Sequence, residues 1–454
     1  MDIGALRERL AGELLQPEDD GFSDARRVWN VRADRSPDVV VRCRDSGDVA
    51  AVVAYARETG TALSVKGGGH SYAMNTVGEG GVLLDLSLMK AIELDRDAGM
   101  AVVEPGVVCA ELDRATVEHG LATPLPTVSS VGVAGAALGG GSGYLSRKYG
   151  LSLDNLVSVD VVTADGKEVR ASEEENADLF WAMRGAGANF GVATTLRFRL
   201  HEVPREMLAG QIVYPFEDAP EALRFFRHYI ADAPHEFQCY PFMFRVPPIE
   251  AFPESFHGQP ALDFVFCHAD SGAAEVVEPL RELGEPILDL VGPLPYPEIQ
   301  QSFDAALPAG QRYYSKAHYL DELSDAAIDA IAAHVPEMHG EFTAAYLEPL
   351  GGAVGAIDRS STAFAGRDAR YSFHILSGWT DPSDDTSVMA WVRSFHDAMQ
   401  PHANGGVYVN LLGEDESARV PAAYAENYSR LAELKTTWDP DNLFRMNHNI
   451  EPVR

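Results

Sequence analysis

The chain has 454 residues, of which 46% are hydrophobic and 9% aromatic, as expected for a globular protein of two or three domains. Its 68 acidic against 36 basic residues give a formal net charge of −32, which argues against nucleic acid or an anionic membrane as a partner. No uncharged apolar stretch reaches the roughly 18 residues of a membrane span, and the N-terminus lacks the apolar run of a signal peptide. We therefore expect a cytoplasmic protein.

The cysteine and lysine contents add two expectations. The four cysteines (Cys43, Cys109, Cys239 and Cys267) are not at CxxC spacing, so neither a disulfide framework nor a zinc site is expected. Only six of the basic residues are lysines. An acidic, lysine-poor surface suits a protein that stays hydrated in concentrated salt, although a GC-rich genome that favours arginine would explain the same composition.

Residues 37–66 are predicted to form a β-α-β unit. The run "DVVVRC" indicates a strand, and the apolar spacing of "SGDVAAVVAYARETG" indicates a helix that begins at Asp45 or Ser46 and ends at Gly60. The strand "ALSVK" then leads into three consecutive glycines and His70. Further strands are expected at "GVLLDLS", "AIELD" and "MAVVEPG", followed by a short helix at "CAELDRATVEHG".

Residues 121–150 form the most glycine-dense segment of the chain. After it, "LVSVDVVTADGKEVRAS" predicts a hairpin with an Asp165-Gly166 turn. "ENADLFWAMRGAGANFGVATTLRFRL" predicts a helix, a glycine-rich turn and a strand. The composition changes near residue 205 to a pattern of Pro-punctuated strands and helices, and residues 405–454 are predicted to contain a strand, a helix and an Asn-rich tail.

Three glycine clusters, at 67–69, 139–143 and 185–191, lie in the first 200 residues. Backbone N–H groups exposed by glycine form nests that bind phosphate oxygens, so the clusters suggest a ligand of dinucleotide size. None of them fits the GxGxxG pattern of a Rossmann turn, and the chain has no GxxxxGK[ST] loop.

The motifs "KGGGHSY", "GVAGAALGGGSGYLSRKYGLSLDN", "GAGANFGVAT" and the C-terminal "WDPDNLFRMNHNI" together resemble the berberine bridge enzyme-like FAD-linked oxidoreductases. This family belongs to the vanillyl-alcohol oxidase/p-cresol methylhydroxylase (PCMH) superfamily. The resemblance implies an α+β fold. A helical lead-in at 1–36 and a PCMH-type FAD-binding domain of two α+β subdomains at 37–205 would precede a substrate domain at 206–404, whose antiparallel sheet is backed by helices. A C-terminal segment at 405–454 would return to the FAD.

The resemblance also implies which residues bind FAD. His70 takes the place of the family histidine that is bonded covalently to the flavin, a bond that requires a neutral imidazole. The other implied FAD-binding residues are Lys66, Gly67, Gly68, Gly69, Ser71, Val131, Gly132, Gly135, Gly139, Gly140, Gly141, Gly143, Asp154, Asn155, Asn189, Gly191, Val192, Asn447 and Asn449.

The chain departs from the family pattern at two positions. Many members carry a second covalent link through a cysteine, but Val128 stands at that position, so we expect attachment through His70 only. Val131 stands where the family has a residue that gates oxygen, and valine there favours oxidase behaviour. Several members also have a Y-x-N-Y stretch in which the second tyrosine is the candidate base, and here that position is Leu411.

The catalytic base is therefore left open. We take Tyr408 as the first candidate and Tyr144, on the glycine-rich turn, as the second. Tyrosines and a histidine of the middle domain are further candidates: Tyr314, Tyr319, Tyr346 and His374.

The family resemblance implies an FAD-dependent oxidase that removes hydride from a hydroxyl-bearing small molecule such as a sugar, alcohol or secondary metabolite. Its partners would be that substrate and O2, and its second product hydrogen peroxide. Two alternatives stay open: a dehydrogenase of the same fold with another electron acceptor, and a flavin-binding protein or cyclase without net redox turnover.

Overall fold

The computed structural model describes residues 3–270 and 274–453. Their strands are β1 (Glu13–Leu15), β2 (Val39–Arg42), β3 (Leu63–Lys66), β4 (Val82–Asp85), β5 (Ile92–Asp95), β6 (Met100–Val103), β7 (Leu121–Ala122), β8 (Leu156–Val162), β9 (Glu168–Ser172), β10 (Val192–Arg199), β11 (His201–Glu202), β12 (Met207–Pro215), β13 (Phe237–Arg245), β14 (Pro260–His268), β15 (Leu288–Leu294), β16 (Arg312–Leu320), β17 (Ala344–Pro349) and β18 (Tyr371–Trp379). Their α-helices are α1 (Ile3–Arg7), α2 (Phe22–Ala25), α3 (Ser46–Thr59), α4 (Cys109–Val117), α5 (Val133–Gly139), α6 (Ser146–Tyr149), α7 (Ala177–Ala186), α8 (Ala219–Asp232), α9 (Glu278–Arg281), α10 (Tyr296–Ile299), α11 (Asp325–His334), α12 (Ala353–Ala356), α13 (Asp385–Met399), α14 (Val420–Tyr424) and α15 (Tyr428–Trp438).

The first sheet has the order β1-β2-β4-β3, and β2 and β3 both pair with β4 in parallel. Helix α3 connects β2 to β3 and packs its buried valines on this sheet, which confirms the predicted β-α-β unit. Asp45 is the N-cap and accepts a hydrogen bond from the Asp48 N–H, while Gly60 ends the helix at φ +68°. The unit brings the end of β3, and therefore the glycine run before His70, to one edge of the sheet.

The second sheet is antiparallel, with the order β5-β6-β10-β8-β9. It contains the predicted hairpin, in which Gly166 takes φ +79° between β8 and β9. Helices α5 and α7 pack in the core beside this sheet. The glycine-rich stretches at the ends of these two helices line the same cavity as the glycine run that follows β3, as described below.

The third sheet has seven antiparallel strands in the order β15-β12-β14-β13-β17-β18-β16. Because side chains alternate along a strand, its two faces have different neighbours. One face, which includes Phe264, Leu347 and Phe373, packs under helices α8, α11 and α13 in an apolar core. The opposite face carries Asp263, Tyr346, His374 and their neighbours and forms a wall of the cavity described below.

The predicted strand around Tyr408 is wrong. Residues Val409–Leu411 form a 3-10 turn in which the Leu411 N–H donates to the Tyr408 carbonyl oxygen. The predicted helix of this C-terminal segment is present as α15. Among the described residues, no helix combines the length and the apolar character needed to cross a membrane.

Candidate active site

A cavity of about 710 Å³ lies where all three glycine clusters, the third sheet and the C-terminal segment meet. Ligand pockets of proteins are typically about 300–1,000 Å³. Most of the predicted cofactor residues line it: Gly67, Gly68, Gly69, His70, Ser71, Val131, Gly132, Gly135, Gly139, Asn189, Gly191, Val192 and Asn447. The fold thus brings together residues that are up to 380 positions apart in the chain.

Two of the glycine clusters touch backbone to backbone. A Cβ added to Gly68 would lie 2.3 Å from the Gly132 nitrogen, and one added to Gly132 would lie 2.5 Å from the Gly68 nitrogen. Gly69 adds a φ of +73°, which L side chains rarely adopt. Only glycine permits this approach, and it leaves a channel lined by backbone, as a phosphate-bearing ligand requires.

His70 lines the cavity beside this contact. Its Nε2 lies 2.9 Å from Ser130 Oγ, and its ring stacks on Trp29 at a centroid distance of 5.1 Å. Trp29 in turn stacks on Tyr313 at 3.7 Å. Burial lowers the pKa of His70 to about 4, so the imidazole is neutral at ordinary pH and its nitrogen lone pair is available.

The C-terminal tail is tied to the third glycine cluster. Asn447 Nδ2 donates to the Ala188 carbonyl oxygen at 2.7 Å, and Asn189 Oδ1 accepts from the Ile450 N–H at 2.9 Å. The buried Lys435 Nζ donates to the carbonyl oxygen of Asn189 and to Asp439, at 2.7 Å each. This lysine was not predicted, although its i,i+4 spacing to Asp439, the residue that follows α15, is visible in the sequence.

Several buried polar atoms lack hydrogen-bond partners within residues 3–270 and 274–453. In the tail and the second glycine cluster they are the Oδ1 atoms of Asn442, Asn447 and Asn449 and the Oγ of Ser142. Asn447 and Ser142 line the cavity. Unsatisfied buried acceptors and hydroxyls are costly, so they indicate a polar ligand there. Together with the glycine channel they fit the phosphates and ring edges of a flavin dinucleotide.

The remaining predicted site residues do not line the cavity. Lys66 Nζ is buried beside the Ala25 carbonyl oxygen and Asp85. Asp154 forms a buried ion pair with Arg367 at 2.6 Å, and Asn155 Nδ2 donates to the carbonyl oxygens of Tyr149 and Leu151. The others in this set are Gly140, Gly141, Gly143, Tyr144 and Asn449.

Tyr144 and Tyr408, the two predicted catalytic tyrosines, have different surroundings. Tyr144 is buried in an apolar cluster and packs edge-on against Tyr240 at 5.5 Å. Tyr408 lines the cavity, and its hydroxyl oxygen accepts hydrogen bonds from the Gly141 N–H at 2.6 Å and from Asn410 Nδ2 at 3.0 Å. Burial raises the pKa of both phenols above the ordinary value.

Leu411 also lines the cavity. The 3-10 turn brings residues i and i+3 to the same side, so Tyr408 and Leu411 share the site although a strand would have separated them. The position at which the family resemblance leads one to expect a second tyrosine is therefore an apolar part of the cavity wall.

Acidic residues of the third sheet supply cavity groups that sequence reasoning missed. Glu348 Oε2 lies 3.3 Å from His374 Nε2, and the His374 ring stacks on Tyr346 at 4.1 Å. Asp263 projects from β14 into the same cavity. The signal that was available is the single acidic residue inside each otherwise apolar strand, "ALDFVFCH" and "AAYLEP".

Comparison with known proteins identifies the cofactor class. Residues 37–172 match the model of an FAD binding domain, and residues 407–451 match the model described as berberine and berberine like. The chain is 31% identical to (R)-6-hydroxynicotine oxidase of Paenarthrobacter nicotinovorans over 98% of its own length and 97% of that protein. An FAD-linked oxidoreductase of Dictyostelium discoideum is 30% identical, with 94% and 91% covered.

The chain belongs to the berberine bridge enzyme-like FAD-linked oxidoreductases. Solved structures of this family share its whole fold. The structure of 6-hydroxy-D-nicotine oxidase from Arthrobacter nicotinovorans has a TM-score of 0.87 at 29% identity, with 98% of both chains covered. That of BBE-like 1 from Physcomitrella patens has a TM-score of 0.88 at 24% identity, with 100% of both chains covered. The protein is accordingly an FAD-dependent enzyme with the predicted PCMH-type α+β fold.

Proposed function

We propose that this berberine bridge enzyme-like protein is an oxidase that transfers hydride from a hydroxyl-bearing carbon of a small molecule to FAD and passes the electrons to O2, forming hydrogen peroxide. FAD, when bound, supplies the hydride acceptor and the reaction with oxygen. The observation that carries the proposal is the neutral His70 at the glycine channel of the cavity. Relatives named as oxidases of 6-hydroxynicotine and of xylooligosaccharide support it.

We infer that the FAD is attached covalently through His70 alone. Val128 lines the cavity where many family members have the second linking cysteine. All four cysteines are buried, and none of them lines the cavity in the described part of the chain. A neutral imidazole with a free lone pair is the nucleophile that such a bond needs.

The substrate proton requires an acceptor in the same cavity. We propose that the Tyr408 hydroxyl holds the substrate oxygen and that Glu348, next to His374, takes the proton. Burial favours the neutral phenol of Tyr408, which is then a donor, whereas a carboxylate accepts a proton without first losing one. The ring of Tyr346 and the apolar Leu411 limit the access of water on this side of the cavity.

The linkage is tested by acid denaturation and gel electrophoresis. We expect the purified protein to give a flavin-fluorescent band, and His70→Ala to release its flavin while remaining folded. His374→Ala is the matched control, because it removes another cavity imidazole and should keep the band. A fluorescent band in His70→Ala would contradict attachment through His70.

Oxygen use is tested separately from the linkage. Rapid anaerobic mixing with sugars, alcohols and hydroxylated amines should bleach the flavin, and admission of air should restore its colour with one peroxide formed per turnover. Bleaching without peroxide would instead identify the dehydrogenase alternative. If none of these compounds bleaches the flavin, the result would favour a protein that binds flavin without net redox chemistry.

A further inference from the structure

Asp263 is a buried acid inside the cavity that the proposed reaction does not use. It lies in β14 between Val213 of β12 and Phe242 of β13, and only 4% of the residue is exposed. In the described part of the chain its Oδ1 has no hydrogen-bond partner, and no cation pairs with the carboxyl group. Because an unpaired buried acid costs folding free energy, its presence needs a reason outside folding.

The side chains around Asp263 are aromatic. Phe242 lies directly across the strand pair, and Tyr240 and Phe244 are its neighbours on the same face of β13. Phe303 closes this part of the cavity at a ring-centroid distance of 5.2 Å from Phe242. Aromatic faces attract cations, and an aromatic enclosure with one acid is the usual chemistry of an ammonium site.

The other charges of the cavity also favour a cation. Arg245 is the one Lys or Arg side chain among the described lining residues, and its guanidinium donates to the carbonyl oxygens of Pro336, Met338 and Gly258. The imidazoles of His70 and His448 are neutral at ordinary pH, since burial lowers the pKa of each to about 4.

Two further acidic residues add to the excess of acidic over basic side chains in the cavity. Glu341 and Glu348 line the same cavity as Asp263. Three carboxyl groups beside a single arginine that is already bonded to backbone disfavour an anionic substrate group in this part of the cavity. The same carboxyl groups favour a basic one.

We propose that Asp263 binds a basic alkylamine nitrogen of the substrate, so that the oxidised molecule carries an amine as well as the hydroxyl-bearing carbon. The inference rests on the proposed function in that it takes the cavity as the substrate site. A basic alkylamine is an ammonium ion at ordinary pH, so it enters with its own proton. The neutral carboxyl group then releases its proton to solvent, and the ammonium and carboxylate form an ion pair between the aromatic rings.

Binding rather than turnover provides the test, so that a failed oxidase assignment would not affect it. Benzylamine and its neutral analogue benzyl alcohol are titrated into the flavin-loaded protein, followed by the change in the flavin absorption spectrum and by thermal shift. We expect benzylamine to bind about tenfold more tightly. Asp263→Asn should abolish that preference and leave benzyl alcohol unchanged.

Two further variants keep the result interpretable. Glu341→Gln removes an exposed carboxylate of the same cavity and should change benzylamine affinity by less than about twofold, because solvent screens it. Asp263→Leu removes the buried acid and should raise the melting temperature while also removing the amine preference. A structural role for Asp263 predicts the opposite sign of the temperature shift.

Three outcomes would overturn the proposal. One is equal affinity of the two probes for the unmodified protein. Another is an equal loss of benzylamine binding in Glu341→Gln and Asp263→Asn. That result would mean that the preference for benzylamine depends only on the total negative charge of the cavity. The third is an equal loss of benzyl alcohol and benzylamine binding in Asp263→Asn, which would make the acid a hydrogen-bond partner of either group rather than an ammonium site.

Discussion

At the residue scale, the proposed mechanism divides between Tyr408 and Glu348 a role for which the sequence offered Tyr408 as the first of several candidates. The phenol oxygen already accepts two hydrogen bonds, so its proton points to a third partner. The Glu348 carboxylate lies close enough to add to the rise in the Tyr408 pKa that burial causes. A negative neighbour disfavours the phenolate, so the proposed mechanism takes Glu348 rather than Tyr408 as the proton acceptor.

This division predicts unequal losses of turnover. Glu348→Gln should lower kcat by about 100-fold or more, because general-base catalysis contributes about that much. Tyr408→Phe should lower kcat only about tenfold, since it removes one hydrogen bond to substrate. Single-turnover flavin bleaching, measured under anaerobic conditions, separates this chemical step from product release.

Tyr346→Phe is the matched control, because it removes a cavity hydroxyl next to His374 and should leave the rate of bleaching nearly unchanged. A larger loss in Tyr408→Phe than in Glu348→Gln would make the phenol the base, as the sequence alone suggests.

A site residue could be predicted from the sequence when it stands in a short contiguous motif, and could not when only the fold brings it to the site. His70 and most of the predicted glycines stand in contiguous motifs and line the cavity. Asp154 is polar in the right motif, yet its carboxylate is taken by Arg367, which lies 213 positions further along the chain. Glu348 and Asp263 enter the site only through strand pairing across the third sheet, which no short motif encodes.

At the scale of elements, the loop after β3 and the start of α5 meet in a close backbone contact. The backbones of Gly68 and Gly132 approach so closely that neither tolerates a side chain. Gly135, one turn into α5, has no protein atom within 4 Å of an added Cβ but lines the cavity.

Alanine at these glycines should therefore separate folding from cofactor binding. Gly68→Ala forces the two backbones apart and should lower the free energy of unfolding by about 1–3 kcal/mol. Gly135→Ala should raise the free energy of unfolding by up to about 1 kcal/mol through helix propensity. The flavin content should fall, because the added methyl group would occupy space that the cofactor needs. Urea unfolding and the ratio of flavin to protein absorbance measure the two effects.

If Gly135→Ala retained full flavin content, the predicted contact of this residue with FAD would be contradicted. If Gly68→Ala were as stable as the parent protein, the backbone contact itself would be in doubt.

The segment around Tyr408 shows why some elements escape prediction. Its sequence, "VYVNLL", contains two valines and a tyrosine, residue types that favour a strand. In the fold, Asn410 Nδ2 donates to the Ala136 carbonyl oxygen and Tyr408 packs against Gly140. These tertiary contacts stabilise a 3-10 turn in place of a strand. In α3 and the β8–β9 hairpin, the tertiary packing agrees with the local sequence pattern, so the prediction from sequence is confirmed there.

At the scale of the whole molecule, the net charge of −32 makes stability depend on salt. Like charges repel over a distance of about 10 Å at 0.1 M salt and about 3 Å at 1 M. We expect the melting temperature to fall when the protein is moved from about 1 M to about 0.01 M sodium chloride. Differential scanning calorimetry on the flavin-loaded protein measures the change.

Sucrose at matched osmolality is the control, because it strengthens burial without screening charge. An unchanged melting temperature in low salt would contradict adaptation to salt, and arginine usage driven by a GC-rich genome would then account for the composition.

The two faces of the third sheet have different roles. Residues such as Phe264 and Phe373 are held in place by the helices that cover them, whereas their immediate neighbours along the same strands, Asp263 and His374, line the cavity. Mutations can therefore accumulate on every second position of these strands at little risk to the scaffold. A family built this way can change what it oxidises one side chain at a time.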